Sequence, residues 1–87
     1  MTSEPRTRAT LVRFLEDEFG LKAGSYNDTS ALFSSGLLDS FALAIVLAFL
    51  DERFDVHVSS EDLTQTNLDS VQSLTAYVTR VISARRA

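Results

Sequence analysis

Ser40 is the residue of this 87-residue chain best placed to do chemistry. It follows Asp39 and precedes an uncharged apolar run from Phe41 to Leu50. Its hydroxyl therefore stands at a helix start, where unpaired N–H groups and a partial positive charge favour an anionic substituent. The same Asp-Ser pair is also an ordinary helix cap, and the motif Gly36-Leu37-Leu38-Asp39-Ser40-Phe41 alone does not choose between the two. A serine acting as its own nucleophile needs a base. The only histidine, His57, lies between Val56 and Val58 in an expected surface connection, where a solvated side chain is its expected role. There is no cysteine, so disulfides and thiolate metal sites are excluded. No nucleophile elbow, phosphate loop or metal-ligand spacing is present. Neither intrinsic enzyme activity nor a metal site is expected.

The elements that must position Ser40 follow from hydrophobic spacing. Leu11, Phe14, Leu15 and Phe19 recur at i, i+3, i+4 and i+8, which predicts an amphipathic helix from about Arg6 to Phe19. Gly20 suits a left-handed C-cap, and residues 1–5, with Pro5, read as a frayed lead-in. Residues 22–36 are rich in small and polar types and read as a long loop pinned to the core by Leu32 and Phe33. A second helix is expected to start at Asp39 or Ser40 and run to about Phe54. Ser59-Ser60-Glu61-Asp62 opens one short helical turn around Leu63. A last helix starts near Asp69 or Ser70, with Val71, Leu74, Tyr77, Val78, Val81 and Ile82 at helical spacing, and residues 84–87 read as frayed. Phe54 to Val58 also alternates with period two, as a strand would, but no other segment offers that strand a partner. The expected fold class is all-α, a three- to four-helix bundle with one long first loop, in a single domain over 1–87.

The second helix carries two apolar stripes. Leu43, Val46, Leu47, Leu50 and Phe54 make a core stripe. Phe41, Ala44, Ile45 and Ala48 make another, with Ala42 beside it. A bundle of this length can hardly bury one helix on every side, so part of the second stripe is expected to face a partner. The alternative, that the alanines are simply good helix formers, accounts for Ala42, Ala44 and Ala48 but not for Phe41 and Ile45.

Composition narrows the partners. The chain is 45% hydrophobic and 23% charged, which is globular, and its net charge of −4 is unevenly spread. Six of eight cations lie at the ends: Arg6, Arg8, Arg13, Arg80, Arg85 and Arg86. Between residues 14 and 79 two cations face eleven acids, a local charge of about −9 that repels a nucleic-acid backbone and attracts basic protein surfaces. That argues against a helix-turn-helix DNA binder, although the acids also serve simply to solvate helix faces. No apolar run approaches a membrane span and the N-terminus has no apolar signal region. A soluble, cytoplasmic monomer with no membrane partner is expected.

From Leu11 to Ile82 the order of segments resembles the acyl and peptidyl carrier protein family. The resemblance runs through Phe-Gly-Leu-Lys (19–22), the long loop, and Asp39-Ser40 before the apolar helix. It continues in Leu-Asp-Glu-Arg-Phe-Asp-Val (50–56), Ser-Ser-Glu-Asp-Leu (59–63) and Asn67-Leu68-Asp69-Ser70-Val71. It implies a non-enzymatic carrier with the helical bundle of that family. Ser40 would bear a 4′-phosphopantetheine arm taken from coenzyme A by a separate holo-carrier synthase, which uses Mg²⁺ at its own site. The arm would hold acyl or aminoacyl groups as thioesters, put on by a loading enzyme and taken off by an acyltransferase or condensing enzyme. Asp39 would be a recognition or metal-side group for the synthase, and Phe41, Ala44, Ile45, Ala48 and Glu52 would meet partners. Many fatty-acid carriers bear several acids on the helix after the serine; here the outward positions are expected to include Ala42 and Ile45, and acids resume only at Asp51 and Glu52. Gly-Leu-Leu-Asp-Ser-Phe is more similar to stand-alone carriers loaded by separate adenylating enzymes. This points to antibiotic biosynthesis of the polyketide or nonribosomal peptide kind. The alternatives are a D-alanyl or fatty-acid carrier, or an unmodified helical interaction module.

Overall fold

The computed structural model describes residues 4–86; residues 1–3 and Ala87, at the ends read as frayed, lie outside the described residues. Four α-helices and one 3₁₀ turn make up the fold, with no strand among the described residues. None of the helices is long and apolar enough to cross a membrane.

Helix α1 spans Glu4–Phe19, beginning two residues before the expected start. Pro5 does not delay it, because the first turn of a helix has no use for the N–H that proline lacks. Thr7, Leu11 and Leu15 are its buried row. At the other end Gly20 adopts φ 69° and donates its N–H to the Glu16 carbonyl at 2.9 Å, the left-handed stop its position suggests.

The long loop that follows is ordered by burial and by ties to the first and last helices. Leu32 and Leu38 are buried and Phe33 is half-buried; the role of Leu38 was not foreseen from the sequence. Arg8 on α1 grips Asp28 with Nε and Nη2, each 2.6 Å from a carboxylate oxygen. Gln72 on the last helix donates its N–H to the Asp28 carbonyl.

Helix α2 spans Ser40–Phe54 and ends at Asp55, which takes the left-handed conformation at φ 56°. Its fully inward row is Ala42, Val46 and Leu50. This corrects the expectation for Ala42, which lies in the core and not beside the outward stripe. Leu43, Leu47, Phe49 and Phe54 pack at the edges of the core.

Beyond α2 the chain is extended but not a strand. Val56 is buried, His57 is exposed and Val58 is half-buried, so the alternation is real, yet no strand lies beside it among the described residues. The single turn expected around Leu63 is in fact two elements. A 3₁₀ turn covers Ser60–Asp62 and a short helix α3 covers Gln65–Leu68. They separate because Thr64 starts a new helix, its Oγ1 accepting the Asn67 N–H at 3.3 Å.

Helix α4 spans Val71–Arg86. Ser70 Oγ accepts the Ser73 N–H at 3.0 Å, capping it. Val71, Leu74, Tyr77 and Val78 are buried, and Val81 and Ile82 pack against the core. The helix runs on past residue 84, and Arg85 donates to the carbonyls of Asp55 at 2.5 Å and Phe54 at 3.2 Å. A cation near a helix C-terminus satisfies carbonyls the helix leaves open, so the ends of α2 and α4 hold each other.

Candidate functional site

Asp39 precedes α2 in an extended conformation, φ −102° and ψ −177°, and its Oδ1 accepts the Ala42 N–H at 2.8 Å. The N-cap role is therefore taken by Asp39. Ser40, the first residue of α2, is exposed, and its hydroxyl has no hydrogen-bond partner among the described residues. The loop serines behave differently. Ser25 and Ser35 donate to the carbonyls of Lys22 and Ala31, Ser30 to Asn27, and Ser34 to Asp69.

The α2 surface next to Ser40 is apolar. Leu37 is 43% and Phe41 74% exposed. Ala44 and Ala48 are exposed and Ile45 is half-buried, with Glu52 exposed further along the helix. Phe41, Ala44 and Ala48 thus form a continuous exposed strip, and Ile45 lies at its margin.

On the other flank of Ser40, at i+3 and i+7, Leu43 and Leu47 line a groove of about 350 Å³ together with Phe33, Leu63 and Leu68. By position Leu43, Leu47 and Leu63 suit either core packing, the better expectation for each, or the lining of a cavity; the structure puts all three on the groove, with Leu63 44% exposed. Leu43 and Leu47 also touch the core. Asp62, just before Leu63, is held by two hydrogen bonds. Tyr77 Oη donates to Asp62 Oδ2 at 2.9 Å and Asn67 Nδ2 to the Asp62 carbonyl at 3.1 Å.

The groove's polar rim includes Ser34, Thr64, Gln65 and Asp69. Asp69, which sequence reasoning placed only at the opening of the last helix, is a hub. Its Oδ1 accepts the N–H of Phe33 at 2.6 Å and of Ser34 at 3.0 Å. Its Oδ2 accepts from Ser34 Oγ and, at 3.3 Å, from Gln65 Nε2. Partial burial pushes the carboxyl up, but the hydrogen bonds from Ser34, Phe33 and Gln65 outweigh it and hold it below the ordinary aspartate value. Nothing in the sequence flags this role, since its partners lie 35 and 36 residues away.

His57 is exposed at the opposite end of α2, its Nδ1 3.3 Å from Asp51 and its Nε2 3.8 Å from Asp55. These three side chains converge on the surface, where Arg85 also approaches Asp55. Asp51 follows Ser40 by eleven residues, roughly 16 Å along the helix axis. His57 is the one histidine of the sequence, and it pairs with Asp51 and Asp55 rather than with Ser40.

A family model described as the phosphopantetheine attachment site matches residues 9–78. No curated protein matches the chain. The match takes in most of α1, the long loop, Ser40, all of α2 and the groove. Domains of this family hold 4′-phosphopantetheine as their prosthetic group, and they carry substrates without catalysing reactions. A free hydroxyl at the head of an apolar helix, set within a four-helix frame matched over most of its length, marks this chain as a member of the phosphopantetheine attachment family of carrier domains.

Proposed function

We propose that Ser40 is the attachment residue and that the chain is a dedicated carrier of acyl or aminoacyl groups in a polyketide or nonribosomal peptide pathway. The observation that carries the first part is the Ser40 hydroxyl, exposed at the start of a 15-residue helix and without a hydrogen-bond partner among the described residues. The residues present suit the group. The first turn of α2 offers backbone N–H groups and the positive end of the helix dipole to a phosphodiester. Asp39 opposes that charge in part, but one of its oxygens is committed to the Ala42 N–H. Attachment forms the bond from Ser40 Oγ to phosphorus and breaks the pyrophosphate bond of coenzyme A. The adenosine bisphosphate half leaves, and the hydroxyl proton passes to the synthase. When bound, the arm supplies a terminal thiol that holds its load as a thioester, the sulfur chemistry that a chain without cysteine lacks.

The exposed strip of Phe41, Ala44 and Ala48 supports the second part. Partner enzymes that dock beside Ser40 meet an apolar surface there, edged by Asp39 and Glu52, rather than a row of acids. Such a surface suits a loading enzyme and a downstream acyltransferase or condensing enzyme with apolar docking sites. The test is intact mass after incubation with coenzyme A and a broad-range holo-carrier synthase. One added arm is expected, and none in Ser40→Ala. An unchanged wild-type mass, under conditions that convert a control carrier, overturns the reading.

A further inference from the structure

The loop that delivers the chain to Ser40 is closed on itself and docked from outside. Leu38 donates its N–H to the Leu32 carbonyl at 2.7 Å, so the two ends of the segment 32–38 meet. Within it Gly36, at φ 85°, turns the chain and donates its N–H to the Phe33 carbonyl at 3.1 Å. Ser35 Oγ reaches the Ala31 carbonyl at 2.5 Å. Leu32 and Leu38 are buried, whereas residues 34–37 are exposed. The outer arc therefore has little apolar contact to fix it.

The tie that docks this loop from outside comes from the α3–α4 junction. Asp69 takes the N–H groups of Phe33 and Ser34 and the Ser34 hydroxyl on its carboxylate, and the Leu32 N–H on its own carbonyl at 2.6 Å. Hydrogen bonds to an ionised acceptor are roughly twice as strong as neutral ones, and three from one loop to one carboxylate act as a clamp. The path from clamp to serine is short. Asp69 fixes Leu32 to Ser34, Leu32 fixes Leu38, and Leu38 leads through Asp39 into Ser40.

We propose that Asp69 is a positioning residue for Ser40: by clamping residues 32–34 it presets the loop from which a modifying enzyme must take the serine. This rests on Ser40 being the attachment residue. With the clamp broken, only a fraction of molecules present the loop in the docked form, and the apparent affinity of the synthase falls by that fraction. Once such a molecule is bound, Ser40 is placed as before. The cost therefore falls on KM and leaves kcat alone.

The experiment compares the full chain with Asp69→Ala, Asp69→Asn, Ser34→Ala and Tyr77→Phe. Two quantities are read: backbone amide exchange at Phe33 and Ser34, and steady-state transfer of phosphopantetheine from coenzyme A by a holo-carrier synthase. Asp69→Ala should speed exchange at both amides and raise KM for the carrier about three- to tenfold, with kcat unchanged. Asp69→Asn keeps a carbonyl oxygen for the two N–H donors and should stay within about twofold of wild type. Ser34→Ala, at an exposed position that cannot collapse the core, should raise KM about twofold. Tyr77→Phe removes the hydrogen bond to Asp62 instead, and should lower thermal stability while leaving both amides and KM as they are.

The inference fails if Asp69→Ala frees the two amides but is converted with wild-type KM, or if Asp69→Asn is no better than Asp69→Ala. Should Asp69→Ala not fold, an unchanged KM and unchanged exchange in Ser34→Ala overturn it by themselves. A wild-type chain that gains no arm, or gains it elsewhere than Ser40, instead overturns the attachment reading, and this inference with it.

Discussion

Phe49 of α2 lies flat on Phe14 of α1, ring centroids 3.8 Å apart and planes 11° from parallel. Phe19 and Phe54 meet this pair edge-on at 5.8 and 6.0 Å. The four rings join α1 to the C-terminal half of α2. Phe49 is nine residues beyond Ser40, roughly 13 Å along the axis, so the seam that holds α2 is separate from the end that presents the serine.

Phe49→Ala is therefore expected to cost stability without costing modification. A buried Phe→Ala change costs about 3–5 kcal/mol; Phe49 is half-buried, so a loss of about 2–3 kcal/mol follows. Chemical denaturation measures that loss. Conversion of Ser40 by a holo-carrier synthase, at a temperature where the variant is still folded, should match wild type. Slowed conversion there would mean that α2 transmits the damage along its length.

The exposed strip makes the opposite prediction. Phe41 is 74% exposed, so Phe41→Ala should change stability by no more than about 0.5 kcal/mol. Ile45→Glu places a charge at the margin of the strip, where a half-buried side chain can still reach solvent. Both variants should keep Ser40 modification and lose transfer from the cognate loading enzyme, by about tenfold for Ile45→Glu, the scale of one unfavourable charge at an interface. Unfolding of Ile45→Glu would assign Ile45 to the core instead.

How much of this was legible in the sequence depends on the range of the interactions. Helical spacing marked α1, α2 and α4, because periodic burial is written into neighbouring positions. Ser40 at the start of α2 was legible for the same reason, helped by the resemblance of the flanking segments. Ala42 was misplaced because a helix apolar nearly all round has no polar face to fix its rotation. The groove is hard to tell from core in the sequence because Leu43, Leu47 and Leu63 are as apolar as core residues; only the fold shows Leu63 exposed and lining the groove. Asp69 was invisible as a clamp, because its partners at 33 and 34 become neighbours only in the folded chain.

The chain's two tyrosines should both titrate above the ordinary tyrosine value. Burial pushes Tyr77 up, and its hydrogen bond to Asp62 and the charge of that carboxylate add to the shift, against a small opposing effect of Arg80. For Tyr26 burial again leads, followed by the charge and hydrogen bond of Glu16. A phenol with a raised folded pKa binds its proton more tightly in the folded state than in the unfolded one. Its stabilisation is thus complete below the ordinary tyrosine range and lost as pH rises through the raised value. Ultraviolet titration of tyrosinate absorbance should show both groups late. Asp62→Asn should bring only Tyr77 back toward the ordinary value, and a shift of Tyr26 in that variant would contradict the assignment.

Two buried hydroxyls at α4 should respond to removal with opposite signs. Ser70 Oγ accepts the Ser73 N–H and donates to Ser73 Oγ, so Ser70→Ala removes a working cap and should cost about 1 kcal/mol. Thr75 is 5% exposed, and its Oγ1 is buried with no hydrogen-bond partner among the described residues. An orphaned buried hydroxyl carries a desolvation penalty of about 1–3 kcal/mol. Thr75→Val keeps the branched shape and removes that penalty, while a β-branched residue in place of another leaves helix propensity nearly unchanged. It should therefore raise stability by about 1 kcal/mol, a rise in Tm of about 4–8 °C for a domain of this size. Calorimetry of the two variants against wild type reads both signs directly. A destabilised Thr75→Val would show that the hydroxyl bonds back to the carbonyl one turn earlier, at Val71, and that α4 bends to allow it.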